Sequence, residues 1–400
     1  MTGGAALATS SNVSVQAAQM DHSAMDHAAM QSSNNYESMM FMEGHAMKPG
    51  QIIEPPGSPS PDEVNYKVFD VDVRIVEHEI LPGVKMHVFA FNGQVPGPEF
   101  HVNEGDWVQV NFTNHTEEMH TIHWHGVILP YTMDGVPMVT QDPVHPGDTF
   151  VYRFQAKPAG TRWYHCHWST PLHAASAMHG AFIIHPKEDA IKKKYPYTRD
   201  YVMMLEAWDL DFIREEMNGL LEGMKEVNLL MAQGKLDYKT HGFFKDYEEF
   251  KQAVESGDYI APYLQSRSSG VEIKPNFFAI NGKSYPATKR LGIKQGEWIR
   301  IRFINASGLS HHMHLHGHDF YWVAQDGNEL PEHRRLNTIH VEPGGTYDVL
   351  VYGDNPGFWT FHDHKTTQVR NNGIYPGGML TVLAYEDFEP SYIPSVSVDQ

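Results

Sequence analysis

The chain has 400 residues, with 26 histidines against a single cysteine and a formal net charge of −19 from 30 Lys plus Arg against 49 Asp plus Glu. One cysteine excludes a disulfide framework and every multi-thiolate metal site. The acidic balance argues against a nucleic-acid partner, whose phosphates need clustered Lys and Arg, and no apolar run is long enough to span a bilayer. So many imidazoles point instead to transition metals.

Residues 1–60 read as a flexible leader, poor in β-branched and aromatic residues and closed by Pro55-Pro56-Gly57-Ser58-Pro59. Its Ala- and Ser-rich start fits the remnant of a processed export signal, so an exported, periplasmic or extracellular location is expected. Met20-Asp21-His22, Met25-Asp26-His27 and then Met39, Met40, Met42, His45 and Met47 combine thioether with imidazole, a set that favours Cu(I).

From residue 64 the pattern has period two. Val71, Val73 and Ile75 alternate with polar residues, as do Val108, Val110 and Phe112, between turns such as Asn92-Gly93. That is the pattern of an all-β sandwich, and it sets a first domain at 61–190. A second domain spans 191–400. Near its start, about 211–265, Leu220, Leu221, Met224, Val227 and Leu230 fall at three- and four-residue steps and predict a helical insertion.

The two domains are copies. Gly105-Asp106-Trp107-Val108 matches Gly296-Glu297-Trp298-Ile299 at an offset of 296 − 105 = 191, and the same offset carries Asn114 onto Asn305, His120 onto His311, His123 onto His314 and His125 onto His316. A second block at 362 − 165 = 197 carries Pro146-Gly147 onto Pro343-Gly344, His165 onto His362 and His167 onto His364. The histidines belong to the repeat.

Four His-X-His pairs carry the chemistry: His123-Trp124-His125, His165-Cys166-His167, His314-Leu315-His316 and His362-Asp363-His364. On a strand, residues i and i+2 share a face, so each pair presents two imidazoles while the residue between them points away. Eight neutral nitrogen ligands suit a cluster of copper ions better than one ion. Cys166 faces the opposite side of its strand, with His120, His173 and Met178 as neighbours in sequence. A Cys, two His and a weak axial Met make a mononuclear blue-copper site.

On these motifs the chain resembles the multicopper oxidases, in particular their two-domain, laccase-like members. The resemblance covers residues 64–185 and 270–385 and implies two cupredoxin-like Greek-key β-sandwiches. It places type 1 copper on His120, Cys166, His173 and Met178, with electron entry at His173 as the more exposed ligand. It places the type 2 ion on His123 and His314, and the type 3 pair on His125, His165, His167, His316, His362 and His364. The implied cofactor is copper, about four ions per chain.

By the two offsets Cys166 falls on Asp363, His173 on Arg370 and Met178 on Tyr375, so type 1 copper is expected in the first domain only. The implied activity is oxidation of a small reductant, Cu(I) or a phenol, coupled to reduction of dioxygen to water. Electrons cross Cys166 to His165 and His167, and Asp134 in Met133-Asp134-Gly135-Val136-Pro137 delivers a proton. A homotrimer with each cluster between subunits is implied too, and the sequence leaves open a cluster within one chain. The alternatives are a copper nitrite reductase, which has the same two-domain layout but fewer cluster ligands, and a copper-binding or electron-transfer protein that consumes no oxygen.

Overall fold

A computed structural model describes residues 50–116, 118–137, 139–168, 172–219, 221 and 273–391. The Met/His segment of the leader and the insertion from residue 222 to 272 lie outside the described residues. What is described falls within one compact unit, Pro49–Gln400.

Period two becomes sheet. In Trp107–Asn114 every second residue is buried, so Val108, Val110 and Phe112 enter a core while Gln109 and Asn111 stay at the surface. The first sandwich has a five-stranded sheet in the order Ile52–Ile53, Thr149–Gln155, Trp107–Asn114, Tyr66–Leu81, Val84–Phe91. Facing it is a four-stranded sheet in the order Phe100–Asn103, His179–His185, Gly160–His165, His123–His125. Aromatic rings join the two faces: Trp124 meets Phe154 at 5.0 Å and Tyr152 at 5.7 Å between centroids.

The second sandwich repeats the plan. Its six-stranded sheet includes Arg199–Trp208, Trp298–Asn305 and Thr346–Tyr352, and its five-stranded sheet includes Leu380–Tyr385, Phe358–Asp363, His311–Leu315 and Thr338–Val341. Ile301, Phe303, Met313, Leu315, Val349 and Phe361 fill the core between them. The repeat extends to the turns: Gly147 and Gly344 both adopt left-handed φ, +80° and +74°, and each donates its N–H to Asn114 or its twin Asn305.

The two sandwiches meet across a buried seam. Trp163, Ala181 and Ile183 pack on Met204 and Ile304. Beside them Thr161 Oγ1 donates to Asp348 Oδ1 at 2.6 Å, and Arg302 Nη1 donates to Thr161 Oγ1 at 2.7 Å. Arg300 and Arg302 hold the fully buried Asp348 carboxyl below its ordinary range against the upward push of burial.

The leader is shorter than the sequence suggests. Ile52 and Ile53 pair in parallel with Thr149 and Phe150, Gln51 N–H donates to Asp148, and Arg153 forms an ion pair with Glu54. Residues 50–60 therefore belong to the edge of the first sandwich. Of the expected insertion, residues 210–219 are helical, opened by the Asp209 carboxylate, which accepts the Phe212 N–H.

Candidate metal centres

Each His-X-His pair ends a strand with its middle residue inward. Trp124, Cys166, Leu315 and Asp363 are all 1 % exposed or less, which turns the flanking imidazoles to the other face. Cys166 thereby enters the core of the first sandwich, where it meets His120 and His173.

The three form a tight donor set. Cys166 Sγ lies 3.7 Å from His120 Nδ1 and 3.5 Å from His173 Nδ1. A trigonal ion with bonds of about 2.0 Å to nitrogen and 2.3 Å to sulfur sets those ligands roughly 3.7 Å apart, so the set has the size of a blue-copper site. Both outer nitrogens are already used: His120 Nε2 meets Thr116 Oγ1 at 2.9 Å and His173 Nε2 donates to Glu118 Oε2 at 3.1 Å. Both Nδ1 atoms turn toward the Cys166 sulfur. Met178, wholly buried, accepts the Cys166 N–H on its backbone oxygen at 3.0 Å.

Electron entry at an exposed His173 is not what the structure has. His173 and His120 are both 0 % exposed, and Glu118 covers the outer edge of the His173 ring. Burial pushes the His173 imidazole down, but the Glu118 carboxylate and Cys166 lift it to about 10. Glu118 carries no motif and its role was not legible from sequence. Its second oxygen is buried without a hydrogen-bond partner among the described residues.

Glu118→Ala removes a buried carboxylate acceptor from the His173 N–H, and is expected to destabilise the protein by about 1–3 kcal/mol. Glu118→Gln keeps an acceptor and loses less. Denaturant midpoints check this, and equal loss in both variants would contradict it.

The second set of imidazoles in the first sandwich is His123, His125, His165 and His167. His123 lies 5.7, 5.2 and 5.6 Å from the other three ring centroids. His123 Nδ1 donates to the Asp134 carbonyl at 2.8 Å and His165 Nδ1 to the Cys166 carbonyl at 2.9 Å. A carbonyl only accepts, so each Nδ1 carries the proton and each Nε2 offers its lone pair. His125 stacks on Trp163 at 4.7 Å, and its buried Nδ1 has no hydrogen-bond partner among the described residues.

The second sandwich repeats the arrangement. His314 Nδ1 donates to the Asn337 carbonyl at 2.7 Å and His362 Nδ1 to the Asp363 carbonyl at 2.8 Å, with His316 Nε2 3.0 Å from His362 Nε2. Ring contacts join His314 to His316, His362 and His364. Among the described residues no group of three ligating side chains mixes the two sandwiches.

Burial, then the neighbouring imidazoles, push His165 down to about 3 and His125 to about 4. His167, His316 and His362 move the same way. All five imidazoles are neutral at neutral pH, the form in which a histidine can bind a metal.

Asp134 reaches the site mainly through its backbone. The carboxylate Oδ1 is 3.4 Å from His123 Nδ1 and partly exposed. Gly135 makes that turn possible, since its φ is +77° and a Cβ there would lie 1.8 Å from the Ile122 carbonyl oxygen.

The comparisons agree with this geometry. Two family models, both described as multicopper oxidase, match residues 72–189 and 260–375. The blue copper oxidase of Nitrosomonas europaea is 34 % identical and superposes with a TM-score of 0.63 over 82 % of this chain and 89 % of that one. The chain belongs to the multicopper oxidase family.

The multicopper oxidase MCE of Talaromyces pinophilus is 45 % identical over 327 residues, 70 % of this chain and 52 % of that one. Copper resistance protein A of Escherichia coli is 30 % identical over 295 residues, 70 % of this chain and 45 % of that one. The chain thus spans about half the length of the curated relatives it matches. A copper nitrite reductase of Thermus scotoductus, 18 % identical with a TM-score of 0.56, shares the fold alone. Family membership implies that the chain binds copper. No helix among the described residues is long and apolar enough to cross a membrane.

Proposed function

We propose that this multicopper oxidase couples one-electron oxidation of a small reductant to reduction of dioxygen to water. In this reading type 1 copper is held by His120, Cys166, His173 and Met178. His123 and His314 take a type 2 ion, and His125, His165, His167, His316, His362 and His364 take a type 3 pair, about four ions per chain. The observation that carries the reading is the strand end at Cys166. Its sulfur lies in one donor set, while its covalent neighbours His165 and His167 lie in the other.

Copper held in these sets supplies one-electron redox chemistry, and the chain does the rest. Cys166 joins the sets through its own backbone. The carbonyls of Asp134, Cys166, Asn337 and Asp363 fix the ring orientations. Asp134 Oδ1, beside His123 and open to solvent, is placed to hold a proton at the face of the cluster.

A homotrimer belongs to the same proposal. Four cluster ligands sit on each sandwich, and the two sets keep to themselves within one chain. Large apolar side chains lie exposed in the stretches after the pairs: Ile128, Tyr131 and Val139 after His125, and Ile374 and Tyr375 after His364. Surfaces of that kind mark contacts between proteins. The exported location also remains part of the proposal.

Cu(I) is the first candidate reductant and phenols the second. Support comes from the Met/His leader and the likeness to copper resistance protein A. Removing residues 1–48, which spares the strand at Ile52–Ile53, is expected to lower Cu(I) oxidation several-fold more than phenol oxidation. Oxygen uptake with each donor measures this, and equal effects would remove the leader from copper delivery.

A further inference from the structure

The second sandwich keeps the frame of the blue site and fills it differently. In the first, Asn114 donates to the carbonyls of Glu118 and Val144, and Thr116 meets His120 Nε2. In the second, Asn305 donates to the carbonyls of Leu309 and Val341, and Ser307 meets His311 Nε2 at 2.7 Å. The two strand ends also match. Cys166 N–H donates to the Met178 carbonyl at 3.0 Å, and Asp363 N–H donates to the Met379 carbonyl at 3.0 Å.

This corrects the equivalences drawn from sequence. His165 pairs with His179 and His362 with Leu380, so the register after the pair is 380 − 179 = 201 rather than 197. The loop from Asp363 to Met379 is four residues longer than that from Cys166 to Met178, since (379 − 363) − (178 − 166) = 4. Met178 therefore corresponds to the wholly buried Met379, not to Tyr375. Gln368, not Arg370, reaches the place of His173.

What stands at the centre is a hydrogen-bonded knot. His311 Nδ1–H faces Asp363 Oδ2 at 3.0 Å and Gln368 Oε1 at 2.6 Å. Asp363 Oδ1 accepts the backbone N–H of His312 at 3.2 Å and of Lys365 at 2.8 Å. Asp363 and His311 are 0 % exposed and Gln368 is 1 % exposed. The two amides flank the ligands: His312 precedes His314 on one strand, and Lys365 follows His364 just past the end of the next. One buried carboxylate thus ties together the strands that carry all four cluster ligands of this sandwich. In the first sandwich the corresponding tie would be a metal ion held by His120 and Cys166.

We infer that Asp363 is a positioning residue that replaces a metal ion: with His311 and Gln368 it fixes the pairs His314/His316 and His362/His364 by hydrogen bonds alone. This rests on the reading of those four histidines as copper ligands. A partner bonded directly to a metal ligand is worth about 10–100-fold in affinity, and Asp363, whose carboxylate acts indirectly through the amides of His312 and Lys365, is set at the low end of that range.

The experiment uses the copper-loaded full chain and follows copper per chain, the type 2 EPR signal and the rate of copper loss to a chelator. Asp363→Ala is expected to lose cluster copper about tenfold or more faster than wild type, with blue absorption unchanged. The blue band reports the other sandwich and so reports folding. Asp363→Asn keeps an acceptor for the two amides but loses the bond to His311, and is expected to fall between.

Wild-type retention of cluster copper in both variants would overturn the inference. So would a further copper or zinc ion that wild type binds and Asp363→Ala abolishes, since the knot would then be a metal site. Should Asp363→Ala lose the blue band as well, Asp363→Asn decides alone, and wild-type retention there overturns the inference. Wild type that holds its blue copper and no cluster copper would overturn the underlying reading, and the inference with it.

Discussion

Replacing Cys166 by serine is expected to abolish the blue absorption and reduce oxygen uptake to background with every reductant, while the cluster keeps its copper. The sulfur is the only soft anionic donor in the set, 3.5 and 3.7 Å from the two Nδ1 atoms. A serine hydroxyl does not ionise at neutral pH and is a hard ligand, so it replaces neither the charge nor the covalency of thiolate. His165 is held by another contact: its Nδ1 bonds to the backbone carbonyl at residue 166, which serine retains. Absorption and EPR spectra with copper counting separate the two centres. An unchanged blue band would contradict the type 1 assignment.

The second large effect concerns how the halves of the cluster meet. A chain carrying His123→Ala and a chain carrying His314→Ala are each expected to be inactive, because each lacks a type 2 ligand. When the two are co-assembled at equal amounts into trimers, an intact cluster forms wherever the sound first domain of one chain faces the sound second domain of the next. Random assembly then restores about one quarter of wild-type activity, as follows from a cyclic head-to-tail arrangement. A cluster built within one chain predicts no recovery, so recovery at the background of the separate variants would contradict the shared site.

Much of this was legible because the chemistry follows backbone periodicity. The i, i+2 rule placed Trp124, Cys166, Leu315 and Asp363 on the face opposite the paired histidines, and the structure has all four buried. The repeat likewise located both sandwiches and the twin asparagines.

What was not legible depends on tertiary contacts or on loop length. Glu118 is one of 49 acidic residues, and nothing in its spacing marks it as the cover of His173. A constant offset carried Met178 onto Tyr375 because an insertion in the loop shifts register only where a strand resumes. Asp134 was read for its carboxylate, and its carbonyl makes the shorter contact to His123. Histidines outside the metal sets have structural partners that sequence does not reveal. His318 meets the Tyr385 hydroxyl at 2.7 Å and His179 bonds to the buried Glu206 at 3.2 Å.

The most direct test is oxygen uptake by protein of known copper content, against Cu(I), phenols, Fe(II) and nitrite. About four copper ions per chain, oxygen consumed with Cu(I) or phenol without release of peroxide, and no turnover of nitrite are the predicted results. About two ions per chain together with nitrite reduction would contradict the account, as would bound copper with no oxygen uptake from any donor.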